Sequence, residues 1–224
     1  MPTKRIETSE FTLMEDGCDS EKTITLTTIT SSTSAMLLKS ISHIIKGMTI
    51  CGDSSSATCS NTFAKQLINL CPMDYNLSLT LAKCLTLQME YLVKHGYSFY
   101  LFDPTNVVMF DENRFVYIST LHLTRISNAK LKICYPFTRS FFVSPEMKEI
   151  HSLPAFVNVA TSYYSLGMLI MFSLFTDQIA SIGEDSITYE TLVDMLGPIH
   201  STKLYWFLLR SIKQEPQDRV LLFC

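Results

Sequence analysis

No two cysteines of this sequence stand at C-x-x-C spacing, and no histidines accompany them at a spacing suited to zinc. The seven present, Cys18, Cys51, Cys59, Cys71, Cys84, Cys134 and Cys224, are odd in number and scattered. That pattern argues against a zinc module or a disulfide framework and for buried free thiols in a reducing compartment, so a cytoplasmic protein is expected. Basic excess is lacking too: 18 Lys and Arg against 21 Asp and Glu leave a net charge of −3, and nothing in the totals points to nucleic acid. The start, MPTKRIETSEFTLMEDG, has no apolar run of the kind a signal peptide carries. The most apolar stretch, YYSLGMLIMFSLF at 163–175, falls short of the roughly 20 residues a membrane span needs. Apolar on every side, it reads as a helix buried at the centre of a domain, with no membrane span.

What is there supports a core. The 224 residues are 47% hydrophobic, enough for one domain with a small appended lobe. Residues 11–30 pair FTLM with the Thr/Ile-rich TITLTTIT around an Asp16-Gly17 turn signal, which predicts a hairpin with a long loop. Met36, Leu37, Ile41, Ile44 and Ile45 space like one helix face, with Gly47 as a stop. Residues 51–61 read as loop and 62–71 as a short helix ended by Pro72. Leu77, Leu81, Leu85, Met89 and Leu92 mark a long amphipathic helix up to His95-Gly96. NVVMF, a DEN turn and RFVYIS form a second hairpin. Residues 127–144 read as irregular; the apolar helix follows, then a polar loop around GEDS, then helices near 188–196 and 202–213. A few strands followed mostly by helices give an α+β class. The expected division is residues 1–75 and residues 76–224.

Several fragments between about 78 and 219 carry a family resemblance. YLVKHG ends a helix, FYLFDPTN follows, then VYISTLHLTR, FVSPEM, SYYSLGMLIMF and QEPQDR. In this order they resemble the C-terminal lobe of a protein kinase: the catalytic loop H-R-D-x-x-x-x-N, the strand into D-F-G, A-P-E, the long buried helix and a D-P-x-x-R signature. One likeness is to shortened kinase-like proteins of large nucleocytoplasmic DNA viruses. A kinase non-catalytic C-lobe module used by cytoskeletal regulators is a second, architectural, likeness.

The resemblance implies a site from which the catalyst has been removed. Kinases work chiefly by positioning nucleotide, metal and hydroxyl. The H-R-D triplet corresponds to Phe99, Tyr100 and Leu101, so leucine stands where the catalytic aspartate would be. The lysine that follows becomes Asp103, and the metal-ligand asparagine is present as Asn106. The D-F-G triplet corresponds to Thr120, Leu121 and His122, which deletes the magnesium carboxylate. No G-x-G-x-x-G occurs, and no glutamate lies between Glu21 and Glu90 to serve as the αC glutamate. Lys22 or Lys39 could be nominated as the phosphate-binding lysine, but neither would have its usual glutamate partner. About 75 residues precede the long helix, so the nucleotide lobe is expected to be reduced or rebuilt. Glu146 and Arg219 match the family's buried structural ion pair, Gly167 allows close packing of the buried helix, and Ser162 replaces the aspartate that begins that helix.

Each of these residues has a plain structural reading. Asn106 is better placed to cap loop backbone than to hold a metal, and Asp103 to make an Asx turn before Pro104. Asp111, Glu112 and Asn113 read as a polar hairpin tip, and His122 as packing or a loop hydrogen bond. Phe99, Tyr100 and Phe102 would fill space once held by a polar loop. Residues 127–143, with Lys130, Lys132, Tyr135, Phe137 and Arg139, form the candidate partner surface. The expected function is a catalytically inactive kinase-like scaffold, decoy or allosteric regulator. It would bind protein without ATP, magnesium or another cofactor, in the cytoplasm, or in a host cytoplasm or virion if viral. The alternatives are a divergent phospho- or nucleotidyltransferase using Asp103 and Asn106 with a rearranged metal site, and a structural subunit of a larger assembly.

Overall fold

Residues 4–7, 11–18, 21–28, 31–52, 55–60, 64–111, 113–182 and 187–220 are described by the structure, a computed structural model. Strands β1 (Lys4–Glu7), β2 (Phe11–Cys18) and β3 (Glu21–Thr28) form an antiparallel meander. The β3 alternation is that of a half-buried strand, with Ile24 and Leu26 fully buried between threonines. Helix α1 (Ser32–Ile44) follows, capped by Ser31, whose hydroxyl accepts the Ser34 N–H at 3.0 Å. It buries Leu37, Leu38 and Ile41 and is left through Gly47 at φ +84°. Strands β4 (Thr49–Ile50) and β5 (Ser56–Ser60) complete a five-stranded sheet of order β1-β2-β3-β5-β4.

Three expectations change here. Asp16 and Gly17 make no turn; they lie in β2, opposite Thr23 and Lys22, because the β3 alternation sustains the ladder past them. Residues 56–60, expected as loop, form β5, which buries only the small side chains of Ala57 and Cys59. Alternation of such small residues is too weak a hydropathy signal to read as a strand. The expected helix at 62–71 is instead strand β6 (Ala64–Gln66) and a 3-10 turn over Leu67–Asn69, since the segment pairs with a strand more than 40 residues downstream.

Helix α2 (Tyr75–Lys94) begins at Asp74, whose carboxylate accepts the Leu77 N–H at 2.9 Å, and is left through Gly96 at φ +78°. Strand β7 (Tyr97–Phe99) leads to the hairpin β8 (Val107–Phe110) and β9 (Arg114–Tyr117), with β6 on its far side. Of the expected hairpin tip, Glu112 lies outside the described residues. Residues 127–144, expected to be irregular, contain most of a further hairpin. Strand β10 (Leu123–Ser127) turns through Asn128 and Ala129, both at positive φ, into β11 (Lys130–Ile133). An Asn-Ala turn lacks the glycine that normally signals this geometry. Within that span, residues 134–144 are free of strands and helices.

A one-turn helix α3 (Pro145–Lys148) and strand β12 (Ala155–Asn158) precede α4 (Thr161–Ser181). The second sheet has the order β12-β11-β10-β7. Helix α4 is buried almost all round and runs into α6 (Lys203–Ser211), reached through α5 (Tyr189–Met195). A Cβ at Gly167 would fall within contact of the Ser211 hydroxyl and 3.0 Å from Ile212, so glycine is what lets α4 approach α6. The polar loop expected at 183–186 lies outside the described residues.

One apolar cluster runs from Leu13 to Ile212 through both parts of the chain. A smaller one joins Tyr100, Leu101, Leu131, Ile133, Val143, Met147 and Val157. No helix among the described residues is long and apolar enough to cross a membrane.

Candidate functional site

The loop between β7 and β8 is held from below by α4 with neutral groups. Ser162 donates its hydroxyl to the Phe99 carbonyl and lies 3.0 Å from the Ser98 hydroxyl. Ser165 accepts the Phe102 N–H at 2.8 Å. Ser162, which replaces the aspartate of the resemblance, therefore bonds loop backbone without a charge. Phe99, Phe102 and Tyr117 meet edge to face, with centroids 4.7 to 5.2 Å apart, and Phe99 and Phe102 are fully buried. These rings fill the interior of the loop, as expected.

Above them the polar groups converge on Tyr117, a residue that the motifs do not single out. Its buried hydroxyl accepts the Asp103 N–H at 3.3 Å and lies 3.0 Å from His122 Nδ1, with the Asn106 side chain beside it. With the Tyr117 proton directed to Nδ1, the imidazole carries its own proton on Nε2. Burial pushes the Tyr117 hydroxyl far above the ordinary tyrosine range, so it stays neutral and acts as a strut. His122 is buried, and its carbonyl accepts the Tyr100 N–H at 2.9 Å.

Asp103 makes the anticipated Asx turn: one carboxylate oxygen accepts the Thr105 N–H at 2.8 Å and the Thr105 hydroxyl at 2.6 Å. Leu101 packs in the smaller apolar cluster at 6% exposure. Thr120, half-buried, sits in the bend after β9, and Leu121, partly exposed, follows it. Asp103, Asn106, His122, Ser140 and Phe137 line one cleft of about 460 Å³ between this loop and residues 136–142. Asp103 is the only carboxylate in that lining, and no cluster of metal-binding side chains occurs among the described residues.

Glu146 and Arg219 meet across 73 residues. Two parallel bonds of 2.6 and 2.7 Å join guanidinium and carboxylate, and the Thr161 hydroxyl donates to the same carboxylate. Arg219 also donates to the carbonyls of Lys213, Gln214 and Ala160, so its buried head is satisfied. Burial works against ionisation of Glu146, but Arg219 and Thr161 outweigh it and hold the carboxyl below its ordinary range.

The candidate partner surface splits in two. Lys130 and Lys132 stand exposed on β11, and Lys132 and Tyr135 line a cleft of about 390 Å³ beside the start of α1. Phe137 and Arg139 turn the other way, toward α3, where Arg139 donates to the Lys148 carbonyl at 3.0 Å. Of the nominated lysines, Lys22 falls on β3, while Lys39 projects from the exposed side of α1.

Two contributors escape the motif reading, Gln88 on α2 and Arg125 on β10, because their roles depend on strands far away in sequence. The sequence matches no known protein-family model and no curated protein.

Proposed function

We propose that the chain is a kinase-like protein without phosphotransfer activity that works by binding a protein partner. One observation carries this reading: the scaffold groups of the resemblance are engaged while the chemical ones are absent. Glu146 and Arg219 form a bidentate pair, and Ser162 holds the loop backbone. The position expected for the base is Leu101, inside an apolar cluster where no substrate hydroxyl could be deprotonated. The position expected for the metal carboxylate is Thr120, a neutral and weak ligand for a hard dication.

The first part of the chain supports the same reading. In kinases the phosphate-binding lysine lies on the third strand and its glutamate partner on the helix that follows. Here α1 follows β3, Lys22 lies on β3, and α1 contains no glutamate. The likeness to shortened viral kinase-like proteins belongs to this proposal as well.

Transfer of labelled phosphate from ATP, with magnesium or manganese, tests it. No incorporation into protein or peptide substrates is expected, and saturating nucleotide should leave the melting temperature unchanged. Incorporation that disappears in Asp103→Asn would overturn the reading in favour of a divergent transferase built on Asp103 and Asn106.

A further inference from the structure

The exposed part of one face of the second sheet is basic, while Tyr97, Phe99 and Leu123 on the same face are buried. Along β11 the buried Leu131 and Ile133 alternate with the exposed Lys130 and Lys132. Lys132 stands opposite Phe156 of β12, and Lys130 opposite Asn158. Continuing the Ile126–Leu131 register sets Arg125 beside Lys132, and Arg125 in turn pairs with Tyr97, donating to its hydroxyl at 3.0 Å. A row Phe156, Lys132, Arg125, Tyr97 thus crosses all four strands. These strands carry three cations and no aspartate or glutamate, in a chain of net charge −3. Neither lysine has an ion-pair partner among the described residues.

The sheet ends at β12, and that edge has unused backbone groups. The Val159 N–H donates to the Ala129 carbonyl at 3.0 Å, which fixes the parity of the ladder. Alternate residues, Val157 and Ala155, then bond β11, while the N–H and C=O of Phe156 and Asn158 point outward. No strand among the described residues pairs there, and Phe156 is 61% exposed.

We propose that β12 accepts an extended acidic polypeptide segment as a fifth strand, its carboxylates turned toward Lys130 and Lys132. This rests on the partner-binding reading above. Strand addition satisfies both the outward donors and the outward acceptors. A nucleic-acid backbone offers acceptors but no donors for the two outward carbonyls. Strands lie about 4.8 Å apart, so the lysines sit roughly 10 Å from the added chain, a gap that a lysine and a glutamate side chain close between them.

The test is fluorescence anisotropy of the full chain with a dye-labelled, strand-length peptide of alternating valine and glutamate. Saturable binding is expected, and about tenfold weakening is expected in the double variant Lys130→Glu, Lys132→Glu. Phe156→Pro removes one outward N–H without touching the ladder to β11 and should weaken binding by a similar factor. Peptides N-methylated on one or the other alternate set of amides give a probe that does not depend on folding of a variant; one set should lose binding and the other keep it. Absence of binding overturns the proposal, as does equal affinity for a valine–lysine peptide or indifference to N-methylation. Tighter binding of a single-stranded oligonucleotide through the same lysines would replace it with nucleic-acid recognition. A protein that transferred phosphate yet bound the peptide would refute the inactive-kinase reading alone. One inert toward ATP that ignored the peptide would refute only this docking mode.

Discussion

The side-chain amide of Gln88 hydrogen-bonds both backbone groups of Tyr117, accepting its N–H at 2.8 Å and donating to its carbonyl at 2.9 Å. Strand β9 is the edge of its sheet, and Tyr117 faces outward from the ladder because the neighbouring Ile118 N–H is spent on Asn106. One turn earlier on α2, the Cys84 thiol donates to the Asn113 carbonyl at 3.7 Å, just before the start of β9. Helix α2 thus closes an edge that carries the Tyr117 hydroxyl into the candidate site.

Gln88→Leu therefore leaves two buried backbone groups of Tyr117 unpaired. Each such group costs about 1–3 kcal/mol, so a loss of roughly 2–6 kcal/mol is expected in urea unfolding. The adjacent exposed change Leu87→Gln should stay within about 0.5 kcal/mol. Equal effects of the two would show that the amide does not hold the strand.

Arg219→Ala leaves the partly exposed Glu146 carboxylate without its cation and is expected to cost about 3 kcal/mol, the low end of what breaking a buried pair costs. Because Glu146 titrates below its unfolded value, its contribution is fully present above the ordinary carboxylate pKa and is lost as pH falls through the folded one. Denaturation midpoints of the native chain should therefore drop on acidification below about pH 4.5, and the drop should be shallower in Glu146→Gln. Parallel acid profiles of the two proteins would contradict the assignment.

Alkali should act through buried tyrosines. Burial raises Tyr164 to about 12, with Arg219 opposing the shift, and raises Tyr117 beyond that. In the unfolded chain both ionise near pH 10 while the folded chain keeps them neutral, so their stabilising effect holds below about pH 10 and is lost as pH rises above it. Absorbance at alkaline pH should show both ionising together with unfolding. A Tyr117→Phe variant should retain more stability at high pH than the native chain.

Restoring a carboxylate does not restore a site. Leu101→Asp places an acid among Leu131, Ile133, Val143 and Val157. A destabilisation of roughly 2–5 kcal/mol is expected. It should grow as pH rises, since burial favours the protonated acid. No phosphate transfer should appear, even combined with Thr120→Asp. Turnover by the double variant would reveal a latent nucleotide site.

Gly167→Ala brings a methyl group against Ser211 and Ile212. A cost of about 1–3 kcal/mol is expected, since the partner side chains sit in a packed core. Calorimetric melting checks this directly.

Much of the frame was legible before any coordinates. The spacing of Leu81, Leu85, Met89 and Leu92 predicts α2, and all four face the core. The hairpin around residue 112, the helix over 163–175 and the Asx turn at Asp103 follow from equally local chemistry. The Glu146–Arg219 pair was expected from the family resemblance and occurs as a bidentate bond. What escaped was set by distant partners. Strand β6 depends on β8, β5 on β3, and Gln88 reads as an ordinary helix residue until β9 is laid beside it.

Sequence by itself determined the helices, the hairpins with strong alternation, the Asx turn and the absence of acidic residues at Leu101 and Thr120, because each is written in side chains a few positions apart. Tertiary structure alone decided that Tyr117 gathers Asp103, Asn106 and His122, and that Arg125 joins Lys130 and Lys132 on one face. It also separated Phe137 and Arg139 from those lysines. Strand register and sheet edges arise from pairing between segments tens of residues apart, and only the folded chain brings those segments together.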